Sequence, residues 1–273
     1  MTRSLTLARC VPLLLSLCFG LYSIHSVAID CPKHPWQAAL YDNGLLGLDG
    51  KTGIDKELLD EIRKRTGCKI ESSVQPRARI WYQLENGGLD LSVTAIETPE
   101  RRRFGWFVHY LKMKNWAVLH HKVPADVESS KEFLEQPSLF FGAIRSYKHG
   151  VFHDQFLKLL QKQNRVLYYP DIHTLYKALK QNRVQAIFAQ PPVFFRMSAN
   201  TGLDKEFRLQ DWAPTEADTY HGVVLSKKSF SEKQQQEWQE LFDEMRQDGA
   251  LERIFHNHLP YDLALGLLDT QKR

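Results

Sequence analysis

The chain has 273 residues, a formal net charge of +4 and 43% hydrophobic residues. This hydrophobic content excludes an intrinsically disordered chain, and the weak charge, with no basic stripe, argues against nucleic acid or a membrane surface as partner. The length suits two modest hydrophobic cores better than one large domain.

Residues 1–28 are predicted to form a secretory signal peptide. Arg3 and Arg9 precede an apolar stretch from Val11 to Leu21, and the small side chains of Ser26-Val27-Ala28 favour cleavage after Ala28. The apolar stretch is shorter than the roughly 20 residues that a transmembrane helix needs. We therefore expect export to the periplasm with no membrane insertion of the mature chain.

Cleavage would leave Cys31 and Cys68 as the two cysteines of the mature chain. An isolated pair in an oxidising compartment usually bonds, so the sequence predicts a disulfide, with two buried free thiols as the alternative. Two cysteines without histidines at ligand spacing do not complete a tetrahedral metal site. No metal and no cofactor are predicted.

The first lobe is predicted to begin with a strand at Ala38–Tyr41 and an amphipathic helix from Ile54 to a glycine cap at Gly67. A second helix carries Arg77 and Arg79 in its opening turn. Cations there oppose the helix dipole. These two side chains therefore either face a ligand or pair with acidic groups on the surface.

A buried strand is predicted at Leu89–Thr94, and the polar turn after it ends in three arginines at residues 101–103. An arginine fork can hold a carboxylate through two parallel, charge-assisted hydrogen bonds. The alternative is a solvated turn whose arginines pair with Glu97 and Glu100.

The sequence contains the same helix–strand–helix–strand unit twice. Its first copy ends at Thr94 and its second at Ala189, and the closing segments align without a gap. Such internal similarity indicates duplicated lobes. Ligands of open α/β sheets bind beyond the carboxyl ends of the strands, so Arg101 and Gln190 are expected to face a cleft between the lobes.

Three motifs in order carry a family resemblance: G-I-D-K-E-L at residues 53–58, L-D-L-S-V-T-A-I-E-T-P-E-R at 89–101 and D-G-A-L-E-R-I-F at 248–255. Together they resemble the extracellular solute-binding protein family 3, typified by periplasmic polar amino acid receptors of ABC transporters. The resemblance covers nearly all of the mature chain. It implies a two-lobe α/β fold, the type II periplasmic-binding-protein fold, which closes on a solute like a Venus flytrap.

The hinge of this fold consists of two strands that cross between the lobes. We expect them at Asn115–His121 and Tyr220–Leu225. Residues 29–116 and 224–273 would then form a discontinuous first lobe, and residues 117–223 the second lobe.

By register, the resemblance makes Arg101 the carboxylate-binding arginine, with Thr94 in the same strand-end segment. Tyr41 and Arg77 are the further ligand contacts expected from the first lobe. Ile96 stands where family members usually have a hydroxyl that helps to hold the carboxylate. The resemblance therefore implies the Arg101 contact, whereas the chain departs from the family pattern at Ile96.

The second lobe is expected to contribute a turn with Arg145, Ser146 and Tyr147, which follows a buried strand at Leu139–Ile144. Backbone amides at such a turn can hold an anion. Gln190 occupies the position at which amino acid receptors usually have an aspartate for the ligand's ammonium group. The expected ligand is a small polar or anionic solute, an amino acid or a related carboxylate.

Two other functions are compatible with this scaffold. A cyclohexadienyl dehydratase shares the fold and the export signal, but such chemistry needs a positioned acid or base, and Gln190 stands where a carboxylate is expected. We therefore predict a receptor without enzymatic activity. We expect its partner to be an ABC permease. The alternative is that this protein is a ligand-sensing accessory protein with another partner.

Overall fold

The computed structural model describes residues 29–43, 52–198 and 206–269. The predicted signal peptide lies outside the described residues, so its prediction stands as made. Within them the chain forms two α/β lobes, each built on a five-stranded mixed sheet.

The first sheet has the order β2-β1-β3-β10-β4. β1 lies between the parallel strands β2 and β3, and β10 runs antiparallel to both β3 and β4. Its strands are β1 (Trp36–Leu40), β2 (Ile70–Val74), β3 (Leu91–Ile96), β4 (Gly105–Met113) and β10 (Thr219–Ser226). The helices of this lobe are α1 (Ile54–Thr66), α2 (Arg77–Asn86), α7 (Glu232–Gln247), α8 (Ala250–His256) and α9 (Tyr261–Leu267), with a 3₁₀ turn at Arg101–Arg103.

The second sheet has the order β7-β6-β8-β5-β9. Its strands are β5 (Trp116–His120), β6 (Phe141–Ile144), β7 (Val166–Tyr169), β8 (Ala186–Ala189) and β9 (Phe207–Gln210). The helices are α3 (Ser130–Glu135), α4 (Val151–Lys162), α5 (Ile172–Lys180) and α6 (Pro191–Ser198).

The predicted duplication is visible in the pairing of the strands. In each sheet the second strand has a parallel neighbour on either side, and the fourth strand is antiparallel to the third. Leu91 of β3 pairs with the second strand β1, and Ala186 of β8 pairs with the second strand β6. These two residues are opposite each other in the gap-free sequence alignment, so the two units match in register as well as in order.

The chain changes lobes in the links that precede the two predicted crossing strands. β4 ends in the first sheet at Met113, and β5 begins in the second sheet at Trp116. The return link runs from β9 to β10, and β10 is hydrogen-bonded within the first sheet from Thr219 to Ser226. The lobe boundary that the sequence analysis predicts between residues 223 and 224 therefore falls inside β10.

An ion pair joins the two links. The Lys114 Nζ atom lies 2.8 Å from the Asp211 carboxylate, and both side chains are mostly buried. Next to Lys114, Asn115 is buried and its side-chain amide donates to the His149 carbonyl oxygen at 2.9 Å. The two links between the lobes are thus tied to their surroundings by polar contacts.

Local sequence signals set the ends of several helices. Gly67 ends α1 with φ at 70°, a left-handed conformation that favours glycine at this position. Ser231 and Gln234 form a reciprocal capping box at the start of α7, and the Ser129 hydroxyl accepts a hydrogen bond from the Glu132 amide at the start of α3. The S-x-x-E and S-x-x-Q spacing at these positions in the sequence is typical of such caps.

Each lobe has its own large buried side chains. In the first lobe, α7 buries a stripe of Trp238, Leu241, Phe242 and Met245, as its spacing predicts. In the second lobe, aromatic rings contact one another edge to face or at a tilt, which adds to the free energy gained from burial alone. The aromatic side chains of this second cluster are Phe133, Phe141, Phe156, Phe188 and Trp212.

Among the described helices, none has the length and apolar character needed to cross a membrane.

Cys31 and Cys68 form a disulfide with a Cα–Cα distance of 5.2 Å, as the sequence predicts. Cys68 follows α1 directly and is buried, whereas Cys31 is exposed near the beginning of the described chain. The bond therefore fixes the segment before β1 to the end of α1.

Removing this disulfide should destabilise the first lobe. The two cysteines are 37 positions apart, and closing a loop of that size stabilises by about 4 kcal/mol in the chain-entropy model. We expect the Cys31→Ser/Cys68→Ser double variant to lose about this much free energy of unfolding in urea. A reducing agent should lower the stability of the wild type to that of the variant and leave the variant unchanged; equal stability of all forms would contradict the prediction.

Candidate functional site

Arg101 lies between the two lobes at the start of the 3₁₀ turn that follows β3. Its Cζ atom is 3.7 Å from the centroid of the Trp81 ring, and its Nη1 atom donates to the Ile96 carbonyl oxygen at 2.8 Å. The side chain is buried, with 6% exposure. A stacked face and a hydrogen-bonded edge hold the guanidinium plane in one orientation.

The other end of the same guanidinium reaches the second lobe. Arg101 Nη2 donates to the Ser146 carbonyl oxygen at 2.8 Å, and Ser146 has a positive φ of 61° that belongs to the left-handed region. Burial, and next the positive charge of Arg77, lowers the pKa of Arg101 below its ordinary value. An anion beside Arg101 would therefore relieve an unfavourable charge as well as form a hydrogen bond.

The structure brings Tyr41, Arg77 and Tyr147 together in the same region. The Arg77 Cζ atom is 4.4 Å from the centroid of the Tyr41 ring, whose own centroid is 5.9 Å from that of Tyr147. Tyr41 belongs to the first lobe and Tyr147 to the second, so this contact also spans the cleft. Arg77 is 4% exposed, which rules out the alternative that it pairs with acids on the surface, while Arg79 is exposed.

Thr94 lines the small cavity between the lobes, but its hydroxyl points to the core of the first lobe. Its hydroxyl donates to the Asp55 carboxyl oxygen at 2.5 Å and lies 2.8 Å from the Tyr110 hydroxyl. The residue has φ at 52°, which bends the end of β3 and turns its carbonyl oxygen toward Arg77 Nη2, 3.3 Å away. Thr94 thus positions Arg77 through its backbone, and its hydroxyl is engaged away from the ligand region.

Gln190, at the end of β8, is buried on the second-lobe side. Its Nε2 atom donates to Asn115 Oδ1 at 3.1 Å, and a ring nitrogen of His149 lies 3.3 Å from the same oxygen. Burial lowers the pKa of His149 to about 3, so its imidazole is neutral at pH 7. The amide of Gln190 is therefore part of a neutral network rather than a seat for a cation.

The predicted second-lobe turn contributes in part. Tyr147 and Lys148 line the space between the lobes, and the Ser146 carbonyl oxygen is the acceptor for Arg101. Arg145 is exposed and lines none of the cavities described for this region. The Arg145 amide is still hydrogen-bonded to the Tyr169 carbonyl oxygen at the end of the sheet, and the left-handed backbone of Ser146 turns the chain only after it.

Two residues of this site, Trp81 and His221, were not predicted as site residues from the sequence. Trp81, on α2, forms the platform for Arg101. His221, on β10, was not singled out; it is 1% exposed and lines the small cavity beside Arg77 and Arg101. Burial, followed by the charge of Arg77, lowers the pKa of His221 to about 3.

Gly222, the next residue on β10, allows His221 to reach this position. A Cβ atom at Gly222 would lie 2.3 Å from the Val108 carbonyl oxygen, and the pairing of β10 with β4 shifts register at this point. Only a glycine permits so close an approach of the two backbones. The sequence shows this glycine within a strand, which could have indicated a bulge beside the site.

The space between the lobes is divided. A cavity of about 10 Å³, roughly the volume of one water, is walled by Arg77, Trp81, Arg101 and His221. A second small cavity shares Tyr147 with it and is otherwise lined mainly by apolar side chains of the second lobe. A larger cleft of about 580 Å³ lies beside the 3₁₀ turn and the start of α4, with acidic and basic groups mixed along its wall. The lobes are therefore closed over the arginines, and a ligand there requires them to separate.

The sequence matches one family model and no curated protein. Residues 27–260 match the model of the bacterial extracellular solute-binding proteins, family 3. Comparison with curated protein sequences finds no match.

Solved structures of amino acid receptors have a similar fold. An amino acid ABC transporter substrate-binding protein, AbpA from Streptococcus pneumoniae, bound to L-arginine, is 19% identical, with a TM-score of 0.66 over 84% of this chain and 95% of that chain. A solute receptor for L-cysteine from Neisseria gonorrhoeae is 17% identical, with a TM-score of 0.69 over 86% and 95%. The arginine-, lysine-, histidine-binding protein ArtJ from Geobacillus stearothermophilus is 17% identical, with a TM-score of 0.69 over 82% and 95%.

At these identities the structural likeness establishes the two-lobe fold and does not specify the ligand. The family model, in contrast, spans most of the chain, including α1, the turn of arginines and both links between the lobes. The chain belongs to the bacterial extracellular solute-binding proteins, family 3.

Proposed function

We propose that this protein is a periplasmic receptor that captures a small polar solute, an amino acid or a related carboxylate, by closing its two lobes around it. The observation that carries the proposal is the Arg101 guanidinium, which is buried between the lobes and fixed on Trp81. Family membership and the fold of the amino acid receptors support the same conclusion.

In the proposed binding mode, a carboxylate of the solute takes the place of the Ser146 carbonyl as acceptor for Arg101 Nη2. A carboxylate accepts a stronger, charge-assisted hydrogen bond than a carbonyl oxygen does. The rings of Tyr41 and Tyr147, which contact each other across the cleft, would exclude water from the bound solute. Hinge motion at the two links, which contain Asn115 and Asp211, would admit and release the solute.

The proposed partner is an ABC permease, to which the closed receptor delivers its solute. This proposal draws on structural neighbours such as AbpA, which is named as part of an amino acid ABC transporter. A ligand-sensing accessory protein is the alternative. Transport into vesicles that contain a candidate ABC permease from the same organism would distinguish the two, because an accessory protein would not stimulate uptake.

Export to the periplasm is proposed from the signal sequence and from the extracellular character of the family. We expect the exported protein to begin at Ile29, because cleavage is predicted after Ala28. Intact-mass measurement of the protein from a periplasmic extract checks this. A mass that includes residues 1–28, or recovery of the protein in the cytoplasm alone, would contradict it.

We propose binding without chemical conversion. Gln190 occupies the position where an acid or base would act, and it is engaged in the neutral network with Asn115. We therefore expect no breakdown of prephenate or arogenate in a colorimetric assay with the mature, oxidised protein. Turnover that persists in independently purified preparations would favour the dehydratase alternative.

Arg101 should be required for ligand binding. A thermal-shift screen of amino acids, dicarboxylates and tricarboxylates, opines and small peptides first identifies a ligand, since a ligand at 100 times its Kd stabilises by about 2.7 kcal/mol. Calorimetry is then expected to show that Arg101→Gln weakens binding by about 100-fold, as truncation of one member of a buried charge pair does. Arg101→Glu should abolish binding, because it places two like charges together.

Arg103→Gln is the matched control for Arg101→Gln. Arg103 lies in the same 3₁₀ turn but is exposed, and its Nε atom bonds only the nearby Glu100 carbonyl oxygen. We expect its affinity to stay within about threefold of the wild type, in keeping with an exposed charge. Unchanged affinity of Arg101→Glu, with its fold confirmed by circular dichroism, would overturn the proposed binding mode.

A further inference from the structure

The small cavity between the lobes has two buried guanidinium groups in its wall. Arg77 and Arg101 come from different elements, the start of α2 and the 3₁₀ turn, and both are over nine-tenths buried. Lys148 adds a third cationic side chain. Among the described residues that line this cavity, none is a carboxylate.

Arg77 is bonded much less completely than Arg101. Its Nη2 atom donates to the Thr94 carbonyl oxygen at 3.3 Å, and its Nη1 atom is buried with no hydrogen-bond partner. Stacking over Tyr41, with 4.4 Å between Cζ and the ring centroid, attracts the charge but leaves the Nη1 donor unsatisfied. A buried charged donor without a partner is costly, so the site is organised for an acceptor that arrives from outside the chain.

The nearest carboxyl group neutralises Arg77 only in part. Asp55 lies beneath β3, where it accepts from the Thr94 hydroxyl. Burial raises the pKa of Asp55 to about 7, although Thr94 and the charge of Arg77 both act to lower it. At neutral pH this carboxyl group is therefore only partly ionised, and it compensates the positive charge of Arg77 incompletely.

The remaining polar groups of the cavity region favour an anion and make no demand for a cation. His221 is neutral at pH 7 and adds no negative charge to the cavity wall. Gln190 is also uncharged, and its amide is occupied with Asn115. Neither residue carries a negative charge that would need the ammonium group of a ligand as its partner.

We propose that the solute is a dicarboxylate, with one carboxylate on Arg101 and the second on Arg77. This inference rests on the proposed function, because it places the ligand in the same cleft and keeps Arg101 as the first contact. The second carboxylate supplies the acceptor that Arg77 Nη1 lacks and neutralises the second buried charge. Arg77 is thereby the residue that selects ligands with two negative charges over those with one.

Calorimetry with charge-matched ligand pairs tests this inference. The probes are succinate, glutarate, L-aspartate and L-glutamate, each paired with its monoamide: succinamate, glutaramate, L-asparagine and L-glutamine. Each pair has nearly the same shape and differs by one negative charge. For the pair of the right length, we expect the wild type to bind the dicarboxylate about 100-fold more tightly than the monoamide, as for a buried charge contact.

Variants of Arg77 assign this preference to the residue. In Arg77→Gln the preference should fall below about fivefold, mainly through weaker binding of the dicarboxylate, since the monoamide does not use the second charge. Arg77→Lys keeps the charge but loses the fork, so it should retain part of the preference at reduced affinity. Arg79→Gln, an exposed position in the same helical turn, is the matched control and should preserve the full preference.

The outcomes separate this inference from the proposed function. Equal affinity for dicarboxylate and monoamide, or full preference in a folded Arg77→Gln variant, would overturn the inference; loss of binding in Arg101→Gln would then still support the receptor. If Arg77→Gln fails to fold, the ligand pairs in the wild type and in Arg77→Lys decide the question. Absence of binding for all eight probes in the wild type would overturn the inference, while a hit elsewhere in the thermal-shift library would preserve the proposed function.

Discussion

The site depends above all on how one guanidinium is held. Arg101 is fixed by the Trp81 ring on its face, by the Ile96 carbonyl on one edge and by the Ser146 carbonyl of the other lobe on the second edge. A guanidinium donates only within its own plane, so fixing the plane fixes the direction in which it recognises an anion. In the proposed binding mode, a ligand carboxylate competes for the same atom that joins the lobes, which couples binding to lobe position.

Ile96 keeps the arginine in place through its backbone. The isoleucine side chain itself offers no hydrogen bond to a carboxylate. Its backbone carbonyl instead anchors Arg101. The positive charge is then reinforced by Arg77 and left without an acid in the cavity wall, so an anionic ligand offers the electrostatic compensation that the described residues lining the cavity lack.

The duplicated architecture explains why these groups meet. Equivalent strands β3 and β8 end at the cleft from opposite sides, because each sheet has the same order and register. The two ends carry different chemistry: the first leads to the charged 3₁₀ turn, and the second ends in the neutral network of Gln190 and Asn115. A duplicated scaffold has thus become electrostatically asymmetric across its cleft.

The sequence by itself determined the helices and strands of both units, the duplication, the disulfide and Arg101 as the central cation. These features follow from local periodicity, from glycine and capping residues, and from motif spacing. Only the tertiary structure decided that Arg77 points inward, that Arg145 points outward, that Thr94 turns its hydroxyl to the core and that His221 joins the site from β10. Which way a side chain faces at a strand end or turn depends on backbone dihedral angles and on the partner strand, and contacts between distant segments have no local signature in the sequence.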